Sequence, residues 1–303
     1  MRKLLPLAFI LGALLLTSCD ERPSERRSSR GFSENERRSR RGSSELSEHR
    51  QFQFTNQTAL RLDIEYDGGY LTIERDDSGL LADIKIDFDR EENCPYIDFD
   101  STSSAPTLRI RSPRRHEVRL SFDKFRENDW RLKLSPKIPI EFRLDGGALD
   151  GKLDLSGLKV ADLNINVGAG EFDLEFREPN SERPDIRINS GAAETKARGL
   201  CNANFRRIDF NGGVGASRLS FDGEWKNEGR IDMNLGVGKN EILLGRHIGA
   251  KVHAPSNFLS PIRLRGFDKR GGLHYSENYD EAAGHLDFDI KMGVGHTEID
   301  WIE

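Results

Sequence analysis

The residues able to do chemistry in this 303-residue chain are 7 histidines, 3 cysteines and 51 carboxylates. Their spacing decides which reactions they could support. His49, His116, His247, His253, His274, His285 and His296 form no HExxH pair, and no CxxC brings two thiolates together, so no zinc centre is written in the sequence. No GxSxG nucleophile elbow occurs. The carboxylates fall at alternate positions of strand-like segments, where such residues usually form a solvated face. The expectation is no catalytic residue, no metal and no cofactor.

Glycine carries the next candidate chemistry. A five-residue phrase reads NVGAG at 166–170, NSGAA at 189–193, NGGVG at 211–215, NLGVG at 234–238 and KMGVG at 291–295. Glycine-rich loops cradle phosphates when they open a helix, but each copy here runs straight into another alternating segment. A calcium-binding β-roll needs an acid at a position held here by Lys239, Ala216 or His296. The glycines are therefore read as structural: Gly147, Gly168, Gly170, Gly191, Gly213, Gly215, Gly236, Gly238, Gly293 and Gly295 would supply positive φ or let neighbouring coils approach closely. The Asn two residues before the central glycine could form a side-chain amide ladder between coils, or simply reflect turn propensity.

Positioning these glycines is the work of their flanks. Gly168, Gly191, Gly213 and Gly236 stand 23, 22 and 23 residues apart, the length of one solenoid coil. Positions five and three before each glycine are apolar, and position one is in most copies, as in Leu163, Ile165 and Val167, with Ser190 and Gly212 departing; the pattern resumes six and eight residues after it, as in Leu174 and Phe176. This period of two is that of a strand with one buried face. FRLDGGALDGKLDL around Gly147 is a further copy, and LDIEYDGGYLTIE around Gly69 a weaker one. The copy at Gly191 places Ala197 and Gly199 where others carry bulk, so its core should be thin. The fold class expected is all-β: a single elongated β-solenoid of about 22-residue strand, glycine turn, strand units. The 57 residues between Gly236 and Gly293 should hold two coils plus a loop around His253 to Phe267, the expected partner site.

Ahead of the repeats, Arg2 and Lys3 precede an apolar run from Leu4 to Leu16, too short to span a bilayer but right for a secretory signal. The run ends in Leu16-Thr17-Ser18-Cys19, which resembles the lipobox of bacterial lipoproteins, with Cys19 as the lipidated residue. More than one acyl chain is what stable anchoring requires. Asp20 resembles an inner-membrane retention signal, within a periplasmic or surface-facing location. Residues 1–19 are thus read as signal, and 20–50 as an unstructured tether with nine Arg against seven acids. Beyond it, 35 basic face 44 acidic residues. Export makes lipid headgroups, envelope proteins or cell-wall polymers the expected neighbours of the Arg pairs, and not nucleic acid. Residues 51–139 read as irregular strands, among them HEVRLSF, and 140–303 as the repeat body. Cys94 and Cys201 could form a disulfide joining the two, or be separately buried thiols.

FRLDGGALDGKLDLSGLKVADLNINVGAGEFDLEF and GGLHYSENYDEAAGHLDFDIKMGVGHTEIDW resemble the toastrack-type bacterial envelope families, including the DUF4097 adhesin group, the DUF2154 group and the C-terminal domain of LiaF-like proteins. The resemblance extends from about Pro136 to the C-terminus, with Tyr279-Asp280-Glu281-Ala282 matching a stretch that often precedes the last unit. It implies a β-solenoid without catalysis. Three function classes follow: an anchored scaffold, adhesive or sensing module; a LiaF-like regulator of envelope-stress signalling; and a β-helix enzyme acting on polysaccharide. For the last, Asn164, Arg187, Asp209 and Asp232 could line one face, and Tyr275, Tyr279 and Trp301 could grip a sugar, although Trp301 falls at a core position and should cap the last coil.

Overall fold

The computed structural model describes residues 46–102, 105–113, 128–255 and 258–302. They fall within one compact unit, Ser44–Glu303. Cys19, His116, HEVRLSF and residues 20–45 of the expected tether lie outside the described residues.

Alternating apolar residues make each repeat a strand, and the strands stack in register. In chain order they are β1 (Leu46–Phe52), β2 (Leu60–Arg75), β3 (Ala82–Phe88), β4 (Tyr96–Asp100), β5 (Thr107–Arg111), β6 (Asp129–Leu134), β7 (Pro139–Asp154), β8 (Lys159–Glu175), β9 (Asp185–Arg198), β10 (Arg207–Phe221), β11 (Glu228–Leu244), β12 (Ile248–His253), β13 (Ile262–Leu264), β14 (Phe267–Arg270), β15 (Leu273–Ser276) and β16 (Gly284–Trp301). Seven long strands form the body in the order β2-β7-β8-β9-β10-β11-β16. All six junctions are parallel. Each coil is one long strand bent at its glycines, with pairing resumed on both sides of the bend, followed by a return loop.

Register converts sequence spacing into columns. Leu62, Phe142, Leu163, Ile186, Ile208, Ile231, Phe288 and Val252 lie side by side across eight strands, and all are buried. Each such side chain contributes about 1.5–3 kcal/mol by leaving water. A slip of one residue would turn the whole column to solvent, which is why the register is strongly specified. The thin copy at Gly191 is filled from its own return loop. Ala197 is small and buried there, and Leu200, Cys201, Ala203 and Phe205 are buried beside it. The Phe205 ring stacks on Trp225 at 4.8 Å and meets Phe221 edge-on at 6.1 Å.

Three expectations are corrected. First, the gap between Gly236 and Gly293 holds no two coils between them: β16 pairs directly with β11, Leu235 beside Met292. The intervening chain lies beyond β16 as one broken rung, β12 on its first half and β13 on its second. The uninterrupted apolar pattern of β16 suits the position with a neighbour on each side, whereas an interrupted segment can only be an edge. Second, residue 140 is not where the repeat body begins, because β2, the weaker copy around Gly69, is already a full rung paired with β7. Gly69 there stands opposite Leu149, in the column of Gly170 and not that of Gly168. Third, β1 begins at Leu46, inside the stretch assigned to the tether.

The two ends of the stack are built alike. The outer side of β2 is covered by β5 on Arg61–Glu65 and β6 on Tyr70–Arg75, mirroring β12 and β13 on β16. Antiparallel strands then cover these, β4 on β5 and β3 with β1 on β6 at one end, and β15 with β14 on β12 at the other. Short, turned strands of this kind blunt the open ladder a long parallel sheet would otherwise expose. Trp301 stacks on Phe267 at 5.8 Å and donates its indole N–H to the Arg265 carbonyl at 2.8 Å, closing the C-terminal end.

Candidate functional site

The ten glycines resolve into two columns, both closed to a side chain by neighbouring backbone, the second also by its positive φ. Gly147, Gly168, Gly191, Gly213, Gly236 and Gly293 occupy the first, where space is the constraint. A Cβ on Gly168 would sit 2.6 Å from the Gly147 carbonyl oxygen, and one on Gly293 2.8 Å from that of Gly236. Gly170, Gly215, Gly238 and Gly295 occupy the second column, with φ of 125°, 152°, 159° and 133°. That region is open to glycine at no steric cost. Ala193 takes this place in the NSGAA copy and is buried.

Beside the first column runs the asparagine row, and it is a continuous ladder. Asn166 donates to Asp145 Oδ1 at 2.6 Å, Asn189 to Asn166 Oδ1 at 2.7 Å, Asn211 to Asn189 Oδ1 at 2.8 Å, and Asn234 to Asn211 Oδ1 at 3.0 Å. All four bonds point the same way. The donor end finishes on the Asp145 carboxylate, and Lys291 stands next to Asn234 in register at the other end. An acid faces the donor end of the row and a base its acceptor end.

Along this row the bend leaves an open groove of about 890 Å³. It is lined by Glu65, Tyr66, Asp67 and Asp145, by Asn166, Asn189 and Asn211, and by the glycines at 147, 168, 191 and 213.

The predicted exposed row of Asn164, Arg187, Asp209 and Asp232 does form one column, continued by Arg143 on one side and Asp289 on the other. Its three adjacent aspartates are held together by arginines of the next column. Arg207 reaches Asp209 at 2.6 Å and Asp232 at 2.9 Å, and Arg230 reaches Asp232 at 2.8 Å. The Arg230 guanidinium, hydrogen-bonded to Asp232, holds that carboxyl below its usual range, and Arg206 does the same for Asp185. These acids are committed to ion pairs.

His253 faces Asp289 at 3.5 Å and His49 faces Asp83 at 2.7 Å. His285 lies between the Glu228 carboxylate and the Tyr279 carbonyl, each at 2.9 Å. Tyr275 and Tyr279 pack edge to face at 4.9 Å, with Arg270 over the Tyr275 ring. Among the described residues no group of three or more His, Cys, Asp or Glu is placed to hold a metal ion, and no helix is long and apolar enough to cross a membrane. In the loop from His253 to Phe267, Phe258 is 96% exposed, while the Leu259 carbonyl accepts from Gly295 N–H at 2.8 Å.

Of the two alternatives for Cys94 and Cys201, the disulfide between them is not formed. Cys201 is a free, buried thiol whose Sγ lies 3.4 Å from the Phe221 carbonyl oxygen. Cys94 belongs to the segment joining β3 to β4, on the far side of β2 from β9. Three inter-strand steps, about 14 Å, separate those strands, against the 7 Å or less that a disulfide allows between Cα atoms.

Two sets of residues escaped the sequence reading. Thr195, Ser217, Asn240 and Thr297, each four residues after a central glycine, form a polar row inside the core, all buried. Ser217 donates to Asn240 at 2.7 Å, and the Thr297 hydroxyl to the Met292 sulfur at 3.2 Å. Asn180, Asn204 and Asn227 staple successive return loops, Asn227 donating to Asn204 Oδ1 at 2.9 Å and Asn204 to the Asn180 carbonyl at 3.2 Å. Their recurrence at the coil period was a visible signal, hidden because the loops around them do not repeat.

The sequence model of a family described as the N-terminal domain of toast_rack, DUF2154, matches residues 38–198. The chain belongs to this family. The toast_rack match begins well ahead of Pro136 and takes in the irregular N-terminal strands, in keeping with β2 being a true rung. No curated protein matches the chain. Among solved structures it is similar to a "putative cell adhesion protein" from Clostridium sporogenes ATCC 15579, at 19% identity and TM-score 0.43, covering 86% of this chain and 100% of that one. It is also similar to a "putative adhesin" from Bacteroides fragilis NCTC 9343, at 12% identity and TM-score 0.41, covering 86% and 99%. A "putative lipid binding protein" from Parabacteroides distasonis ATCC 8503 follows at 10% identity and TM-score 0.32, covering 85% and 97%.

Proposed function

We propose that this toast_rack protein is a lipid-anchored, non-enzymatic component of the bacterial envelope whose bent parallel sheet is an adhesive or sensing surface. The observation that carries the reading is Leu16-Thr17-Ser18-Cys19 at the end of a charged-then-apolar leader. It puts the folded unit on a membrane through a thioether at Cys19, with the Arg-rich stretch between anchor and fold. The state of the outward side chains supports a recognition role over a catalytic one. Asp209 and Asp232 are paired with arginines, and the asparagine amides are held in a ladder, so the surface holds a fixed pattern of polar groups.

Growth of the producing cell with an alkyne-tagged palmitate, followed by pull-down of the full chain, tests the anchor. Label should enter the wild-type protein and be lost in Cys19→Ala, which should also leave the membrane fraction. An unlabelled, soluble wild-type chain would sink the reading.

A further inference from the structure

The asparagine ladder uses only half of its hydrogen-bonding capacity. A side-chain amide has two N–H donors and two acceptor positions. Asn166, Asn189 and Asn211 each spend one donor and one acceptor on the ladder, which leaves one of each per rung. These repeat every 4.8 Å or so along the groove that the same residues line. The lining runs from β2 to β10, four inter-strand steps or about 19 Å.

Charge narrows the occupant. Glu65, Asp67 and Asp145 stand at one end of the groove, Asp145 beside Arg143 at 2.9 Å, and among the described residues no lysine or arginine lines it. A phosphate- or carboxylate-rich polymer would find no cation among the described lining residues to pair with. An extended peptide adding itself as a strand needs an open backbone edge, whereas every rung here is paired on both sides. What fits is an uncharged chain whose units each offer a donor and an acceptor, and that is a chain of sugar hydroxyls.

We propose that the groove binds a neutral glycan chain laid across the rungs, each sugar meeting the spare amide groups of one or two asparagines. This names a ligand class for the recognition surface described above and rests on that reading for its surroundings, not for its chemistry.

The full-length protein in detergent micelles, titrated calorimetrically with cellotetraose and tetra-N-acetylchitotetraose and separately with oligogalacturonate, is the test. A neutral tetrasaccharide should bind, the anionic one should not, and the folded Asn189→Ala/Asn211→Ala variant should lose roughly tenfold in affinity. Should that variant misfold, hydrogen exchange on the wild-type chain decides instead. Added glycan should slow exchange in peptides covering residues 145–147, 166–168, 189–191 and 211–213. Preference for the anionic ligand, an unchanged affinity in the folded variant, or slowing confined to other segments would overturn the assignment. The palmitate experiment is independent of this one. A labelled chain that ignores glycans refutes only the groove, and a glycan-binding chain without label refutes only the anchor.

Discussion

Asn189 on β9 donates its side-chain amide to Asn166 Oδ1 on β8 at 2.7 Å, and its own Oδ1 accepts from Asn211 on β10. The bonds run one way, so the position demands a donor on one side and an acceptor on the other. Asn189→Asp keeps the shape but sets a carboxylate against the Asn166 oxygen. It should cost about 1–3 kcal/mol, read as a lower urea midpoint at unchanged slope. Asp145→Asn, at the end where only an acceptor is needed, should cost far less. Equal stability of wild type and Asn189→Asp would remove the ladder from the account of this fold.

Gly168→Ala adds one methyl group 2.6 Å from the Gly147 carbonyl oxygen. Both partners are backbone, and neither can turn away. A loss of about 3 kcal/mol or more is expected, seen as a fall in melting temperature or failure to accumulate. Gly271→Ala, where an added Cβ meets nothing within 4 Å, is the comparison despite its φ of 58°. Its loss should be near the ordinary cost of a left-handed alanine, about 1–2 kcal/mol.

Asp185 and Asp232 have folded-state pKa values below the usual 3.8, through their hydrogen bonds to Arg206 and Arg230. A lowered carboxylate pKa adds stability that is present above the unfolded-state value and lost as pH falls through the folded-state value. The acid limb of the stability profile below about pH 4 should therefore be shallower in Arg206→Gln/Arg230→Gln, which is less stable than wild type at pH 7 and converges on it in acid, by a small amount because the arginines are largely exposed. Identical limbs in the variant and wild type would count against the assignment.

Burial, with Asp222 nearby, pushes the Cys201 thiol far above its usual pKa. The thiolate is the reactive form, so Cys201 should resist iodoacetamide at pH 8 in the native protein and alkylate fully in guanidinium. Peptide mass spectrometry reads both states. Rapid native alkylation would show the return loop of 199–206 to be open.

Removing residues 284–303 takes away the strand that both β11 and β12 pair with. The truncated chain should aggregate through the bared β11 edge, or lose protease resistance beyond residue 245. Trp301→Ala, which strips only the stacking on Phe267 and one hydrogen bond, should leave the chain folded but less stable by about 1–3 kcal/mol.

The repeat was legible from residue spacing because a parallel stack in register turns a period of 22 or 23 residues into columns. Apolar alternation, the glycine corner and the amide ladder follow directly, since each depends on what a residue meets one coil away. The place of β16 was not legible. Its spacing from Gly236 fits intervening coils, and only competition between a continuous strand and a broken one for the doubly paired position decides the order. The same holds for Cys94 and Cys201, which sequence allows to pair and which the strand order keeps apart. The groove belongs to neither flank alone. It exists because five bends lie in line, and that alignment is set by the summed pairing and core packing of the stack, not by any one copy of the phrase.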